Sequence, residues 1–136
     1  MTSHPLTVLL VEDHALNMAL ATELLEAREI RVLQAEEAEE GLKLAREKRP
    51  DLILMDIQLP GMDGLTAIGH LRKAPETREI PVVVLSAHAM EEDAEKAQEA
   101  GAVGYIAKPI ETRSFVDTVL EYLDGEGEAS RPSSTP

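Results

Sequence analysis

Five short apolar runs punctuate the chain, at Leu6–Val11, Arg31–Ala35, Asp51–Met55, Pro81–Leu85 and Val103–Ala107. All have strand length. LTVLLV, DLILM and PVVVL are almost uninterrupted, as strands buried on both faces of a parallel sheet must be, whereas RVLQA is more polar and predicts an edge. Between the runs, apolar residues recur at helical spacing: Leu20, Leu24 and Leu25 within His14–Arg28; then Ala38, Leu42 and Ala45; then Leu65, Ile68 and Leu71. Met90–Ala100 offers mostly Ala on its inner face and acids outside, which predicts the most loosely held helix; Glu111–Asp124 aligns Phe115, Val119 and Leu123. Strict strand–helix alternation predicts an α/β fold, five parallel strands doubly wound by five helices through right-handed crossovers. With the polar second strand at an edge, the expected order is 2-1-3-4-5, and the functional crevice lies at the carboxyl ends of strands one and three.

At 136 residues the chain is one ordinary domain. The pattern ends near residue 124; GEGEASRPSSTP, residues 125–136, lacks apolar spacing and reads as a disordered tail too short to supply an output domain. Hydrophobic residues make up 43% but aromatics only 2%, so the core has to be aliphatic. A net charge of −13 argues against direct binding to nucleic acid or an anionic membrane. The absence of Cys removes disulfides, thiolate metal sites and a Cys nucleophile. MTSHP carries no basic region ahead of its apolar run, so no signal peptide or span is expected, and the location reads as cytoplasmic.

The unusual residues fall where strands end: Glu12 and Asp13 after the first, Asp56 after the third, Ser86 after the fourth and Lys108 after the fifth. Each has an ordinary explanation by itself: Asp13 a helix cap, Asp56 a turn residue, Ser86 a hydroxyl before a helix, Lys108 a surface charge. Their convergence on one end of one sheet is what those explanations miss. Three clustered carboxylates repel one another unless a cation offsets them. Oxygen donors without a His/Cys cluster favour Mg²⁺, which keeps several waters and takes one or two carboxylates. A carboxylate beside such an ion and a Lys is a fit nucleophile for phosphorus, with Ser86 as an added donor.

Val11-Glu12-Asp13-His14, the string Leu54-Met55-Asp56-Ile57-Gln58-Leu59-Pro60-Gly61-Met62-Asp63-Gly64, Leu85-Ser86-Ala87 and Ala107-Lys108-Pro109 together resemble the receiver domain of two-component response regulators. The likeness covers residues 6 to 124; Asn17 and Met55-Asp56-Ile57-Gln58-Leu59-Pro60 resemble single-domain receivers of the DivK type and receivers of hybrid kinases. The resemblance implies a flavodoxin/CheY-like fold for a receiver domain at residues 1–124. It implies Asp56 as phosphoacceptor, Asp13, Asp56 and the backbone carbonyl of Gln58 as Mg²⁺ ligands, and Glu12 acting behind them or through a water. Lys108 would pair with the phosphoryl oxygens, and its bond to Pro109 is often cis in this family. Ser86 would hydrogen-bond the phosphoryl group, and Tyr105 would turn inward when Ser86 moves. The implied function is that of a phosphoacceptor signalling protein rather than an enzyme. Its donor would be a histidine kinase or histidine phosphotransfer protein, and its partner either a downstream effector or the next carrier of a phosphorelay.

His14 and His88 flank the site, and His88 stands where the family tunes the lifetime of the aspartyl phosphate; an exposed imidazole without a role is the competing reading for both. His70 reads as a solvated helix residue, His4 merely precedes the first strand, and Glu36, Glu37, Glu39 and Glu40 read as a solvated helix start. A nucleotide- or flavin-binding protein needs a Gly-rich cradle after the first strand, where this chain has Glu12-Asp13-His14. A haloacid-dehalogenase-like phosphatase needs a second Asp two residues past the nucleophile, where this chain has Gln58.

Overall fold

The computed structural model describes residues 6–59, 61–86 and 91–123. Ten elements alternate without exception: β1 (Thr7–Val11), α1 (Ala15–Glu26), β2 (Arg31–Ala35), α2 (Ala38–Lys48), β3 (Leu52–Asp56), α3 (Gly64–Lys73), β4 (Val82–Ser86), α4 (Glu91–Ala100), β5 (Gly104–Ala107) and α5 (Phe115–Leu123). The strands form one sheet in the order β2-β1-β3-β4-β5, and every pairing is parallel. The architecture and strand order are those the apolar pattern predicts. The polar second strand is indeed an edge, and β5, only partly buried, is the other.

Because strand side chains alternate between faces, each strand feeds two cores. Leu9, Val11, Ile53, Met55, Val82 and Val84 face α2, α3 and α4, whereas Val8, Leu10, Leu52, Leu54, Val83 and Leu85 face α1 and α5. All five residues of β3 and of β4 are buried, so these strands form the centre. The core stripe of α1 runs through Met18, Ala21 and Leu25; Leu20 and Leu24, expected at its middle, sit at its margins. In α4, Ala97 is buried among exposed Glu95, Lys96, Gln98 and Glu99, which matches the weak packing expected of that helix.

Several boundaries differ by one to four residues, for local reasons. Asp51, expected to open the third strand, turns its carboxylate back onto the Thr7 N–H at 2.8 Å, so β3 starts at Leu52 and ends on Asp56 itself. Pro81 has no N–H to pair; its carbonyl accepts from Ile53, and β4 runs Val82–Ser86. Residues Glu111–Ser114, expected in the last helix, form a turn closed by the Ser114 hydroxyl on the Glu111 carboxylate, and α5 begins at Phe115. Residues 125–136, His4 and His88 lie outside the described residues.

Two side chains tie the ends of elements together. Arg72, near the end of α3, donates to the carbonyls of Arg78 and Ile80 and, through Nε and Nη2, to that of Gly101 just beyond α4. Gly101 has φ +118°, a conformation L side chains rarely adopt, and a Cβ there would also press on the Arg72 side chain. Tyr122 of α5 lies over Gly104 at the start of β5, where any Cβ would collide with the phenol ring.

Candidate functional site

Parallel pairing brings four strand ends to one edge of the sheet. In register, Val11 pairs with Met55, Asp56 with Leu85, and Ser86 with Ala107, so Glu12, Asp56, Ser86 and Lys108 all emerge within one residue of the same level. The pleat then sorts them. Glu12, Asp56 and Lys108 continue the alternation of Leu10, Leu54 and Ile106, the positions on the α1/α5 side. Ser86 continues that of Val84, on the α4 side, where Tyr105 packs beside the core one same-face step back along the neighbouring strand. Backbone bonds hold the loops: Glu12 N–H to the Ala35 carbonyl, Ile57 N–H to that of Leu85, and Lys108 N–H to that of Ser86 at 2.7 Å. The Lys108–Pro109 bond is cis.

Lys108 is the hub of the cluster. Its Nζ lies 2.7 Å from Glu12 Oε1 and donates to Asp56 Oδ2 at 2.9 Å. The second Asp56 oxygen, Oδ1, accepts the Gln58 N–H at 2.9 Å. Glu12 and Asp56 are almost wholly buried, at 1% and 2% exposure, and so is Ser86. Burial pushes the Asp56 carboxyl above its ordinary range, the negative charge of Glu12 adds to the rise, and the pull of Lys108 and the Gln58 N–H does not reverse it. Burial pushes Glu12 upward as well, but there Lys108 and the His14 N–H and ring outweigh it and hold the carboxylate below its ordinary range. Burial would lower Lys108, yet its two acids raise it. The cluster thus holds a firm ammonium between one carboxylate kept ionised and one whose charge the protein opposes.

The donor set fits a hard divalent cation. Glu12, Asp13, His14 and Asp56 each offer a ligand atom, all within 4.8 Å of one another. Glu12 Oε1 is buried with the Lys108 ammonium 2.7 Å away, so the buried acid already faces one cation, and it is the partly exposed Asp13 that brings uncompensated charge to the cluster. Asp13 does not cap α1; the N-cap position is His14, whose side chain makes no capping bond either. Asp13 is therefore available to the cluster rather than consumed by the helix.

The structure brings Glu12, Asp13, Asp56, Gln58, Ser86 and Lys108 to one end of the sheet and sets Tyr105 apart, half-buried beside an open groove of about 440 Å³ lined by Ala94, Ala97, Gln98 and Ala102. Two participants have no assigned role in the sequence reading. The His14 ring joins the acids, which its neighbours in sequence hint at only weakly. Gly64 opens α3 so close to Asp56 that a Cβ would strike the Asp56 carbonyl, and the Asp63 carboxylate caps that helix on the Thr66 N–H at 2.8 Å. The signal for Gly64 is the Asp-Gly pair preceding a helical stripe.

Residues 8–120 match the family model described as the response regulator receiver domain. The polar-differentiation response regulator DivK of Brucella anthropi is 44% identical over 119 residues, which covers 88% of this chain and 97% of that protein; the Brucella ovis DivK is 44% identical over 117 residues, 86% of this chain and 95% of that one. Among solved structures, the receiver domain of the sensor histidine kinase PA1611 from Pseudomonas aeruginosa PAO1, with a magnesium ion coordinated in its active-site cleft, is 30% identical with a TM-score of 0.81, covering 90% of this chain and 99% of that one. A CheY-like response regulator receiver domain protein from Methanospirillum hungatei JF-1 is 27% identical with a TM-score of 0.82, covering 94% of this chain and 100% of that one. The match runs through every strand and through the residues gathered at the sheet end, and the DivK proteins align almost from end to end: this chain belongs to the response regulator receiver domains of two-component signalling and is DivK-like.

Proposed function

We propose that the chain is a cytoplasmic response regulator receiver whose Asp56 accepts a phosphoryl group from a histidine kinase or histidine phosphotransfer protein. The observation that carries this reading is the Lys108 ammonium 2.9 Å from Asp56 Oδ2 at the end of the central strand, inside the acidic group. In the transfer, an Asp56 carboxylate oxygen bonds to phosphorus as the donor's P–N bond breaks, and that electron pair returns to the donor imidazole. The Gln58 N–H fixes the carboxylate orientation through Oδ1. Lys108 offsets the charge arriving on the phosphoryl oxygens, and the Ser86 hydroxyl is a further donor to them. Asp13, Asp56 and the Gln58 carbonyl are the proposed Mg²⁺ ligands, with Glu12 acting behind them; bound Mg²⁺ supplies positive charge where the transferring oxygens become most negative.

The output is proposed to be a changed face formed by α4, β5 and α5, read by a downstream effector protein. It is supported by the sharing of one sheet face by Ser86 and Tyr105, and by the thin packing of α4 beside Tyr105. Nucleic acid and membrane are not proposed partners: the net charge is −13, and no helix of the described residues is long and apolar enough to cross a membrane.

Acetyl phosphate with Mg²⁺ should label the protein once per chain, and Asp56→Asn should abolish the label. A label that persists on the Asn variant overturns the assignment. Steady hydrolysis of a generic phosphate ester at about 10 per second or more would instead identify a phosphatase.

A further inference from the structure

Asp13, Asp56 and the Gln58 carbonyl are oxygen donors, and the folded chain brings a nitrogen beside them. His14 Nδ1 lies 3.3 Å from Glu12 Oε2 and 3.4 Å from Asp13 Oδ1. These spacings are close to the edge of an octahedron of donors around a small dication, about 3 Å for bonds of about 2.1 Å. The ring makes no capping bond to the helix whose N-cap it occupies, and its Nδ1 contacts are with the acids. Its backbone does part of the positioning, since the His14 N–H donates to Glu12 Oε2 at 3.0 Å and ties the loop to the buried acid. The side chain is 68% exposed; an ion that displaced the Nδ1 proton facing the acids would leave the imidazole proton on the solvent-side Nε2.

We propose that His14 Nδ1 is a direct ligand of the cation held by Asp13 and Asp56, making this a mixed nitrogen–oxygen site selective for divalent first-row transition ions over Mg²⁺. This rests on the proposed reading of the acidic cluster as a cation site and goes beyond it by naming the residue that sets ion choice. Imidazole is a good ligand for Fe²⁺, Ni²⁺, Cu²⁺ and Zn²⁺, a weaker one for Mn²⁺ and a poor one for Mg²⁺, so removing it penalises Ni²⁺ and Mg²⁺ unequally. An all-oxygen site would also favour Ni²⁺ over Mg²⁺; the informative quantity is therefore the change in that preference when the imidazole is removed.

The test uses the full chain with Mn²⁺, Ni²⁺ or Mg²⁺ alone. Electron spin-echo modulation of bound Mn²⁺ should show imidazole ¹⁴N coupling in the wild type and in His88→Ala, and none in His14→Ala. His14→Asn, which keeps a favourable N-cap residue, should also lose it. By calorimetry, His14→Ala should weaken Ni²⁺ binding about tenfold or more while changing Mg²⁺ affinity less than twofold. Absence of ¹⁴N coupling in the wild type, or its persistence in His14→Ala, overturns the assignment of His14. Asp13→Asn should abolish Mn²⁺ binding whichever ligand His14 proves to be. Unchanged Mn²⁺ binding in that variant would overturn the cation site itself, and the His14 proposal with it.

Discussion

Lys108 reaches two buried carboxylates at once, and the three charges respond differently: Glu12 is held ionised while burial opposes the charge on Asp56. An acid whose carboxyl is raised in the folded state binds more protons there than when unfolded, so ionising it weakens the fold. In chelator-treated buffer, Asp56→Asn should therefore raise the melting temperature at neutral pH. The gain should shrink as pH falls through the raised range of Asp56 and close below its ordinary value of 3.8, where both states are protonated; thermal melts across that window check the sign. A bound cation should reverse the penalty by pairing with the same oxygens. Mg²⁺ at about ten times its Kd should stabilise the wild type by about 1.4 kcal/mol, and Asp13→Ala should lose that response. An undiminished response in Asp13→Ala would place the ion elsewhere.

Among the elements, α4 and β5 are the pair proposed to move. The described side chains of α4 put Ala97 into the core and little else, so its grip on the sheet is weak near Tyr105. The far end of α4 is better secured, because Arg72 holds the Gly101 carbonyl through two nitrogens. A phosphoryl group on Asp56 that draws Ser86 inward opens space next to Tyr105 on the same face, and the switch needs only a shift between two populations. Beryllofluoride should therefore slow amide exchange at Ser86 and alter it around Tyr105, and Tyr105→Ala should weaken effector binding while leaving Asp56 labelling intact. Changes confined to the acidic end, with the Tyr105 face silent, would describe a phosphate carrier in a relay rather than a conformational switch.

On the scale of the whole molecule, the sheet divides the interior into two cores yet couples them through every strand, since neighbouring residues of β3 serve opposite faces. Leu54 is fully buried on the α1/α5 side, two residues from Asp56. Leu54→Ala should cost about 3 kcal/mol, the usual toll for a buried leucine whose cavity only partly collapses. Because both cores share β3, urea unfolding should stay a single transition, with far-ultraviolet dichroism and tyrosine fluorescence coincident. Separate midpoints would mean that the two faces unfold independently.

The order of strands and helices was legible in the chain because burial on two sides forces uninterrupted apolar runs, as in DLILM and PVVVL, and burial on one side forces helical stripes. The candidate site was legible for a related reason: acids, a hydroxyl and a Lys stand where apolar runs stop, and a parallel sheet sends all those stops to one end. Element boundaries were less legible, since Asp51 and the Glu111–Ser114 turn are settled by single side-chain hydrogen bonds that carry no periodicity. Tertiary structure alone decided which groups touch. The register of four strands delivers Lys108 to both Glu12 and Asp56, 52 positions apart in the second case. Close approach of α3 demands glycine at position 64, and the turn into α1 swings the His14 ring onto its neighbouring acids. Sequence periodicity reports which face a residue occupies; distances between side chains on different elements depend on register, pleat and loop geometry, which exist only once the sheet has formed.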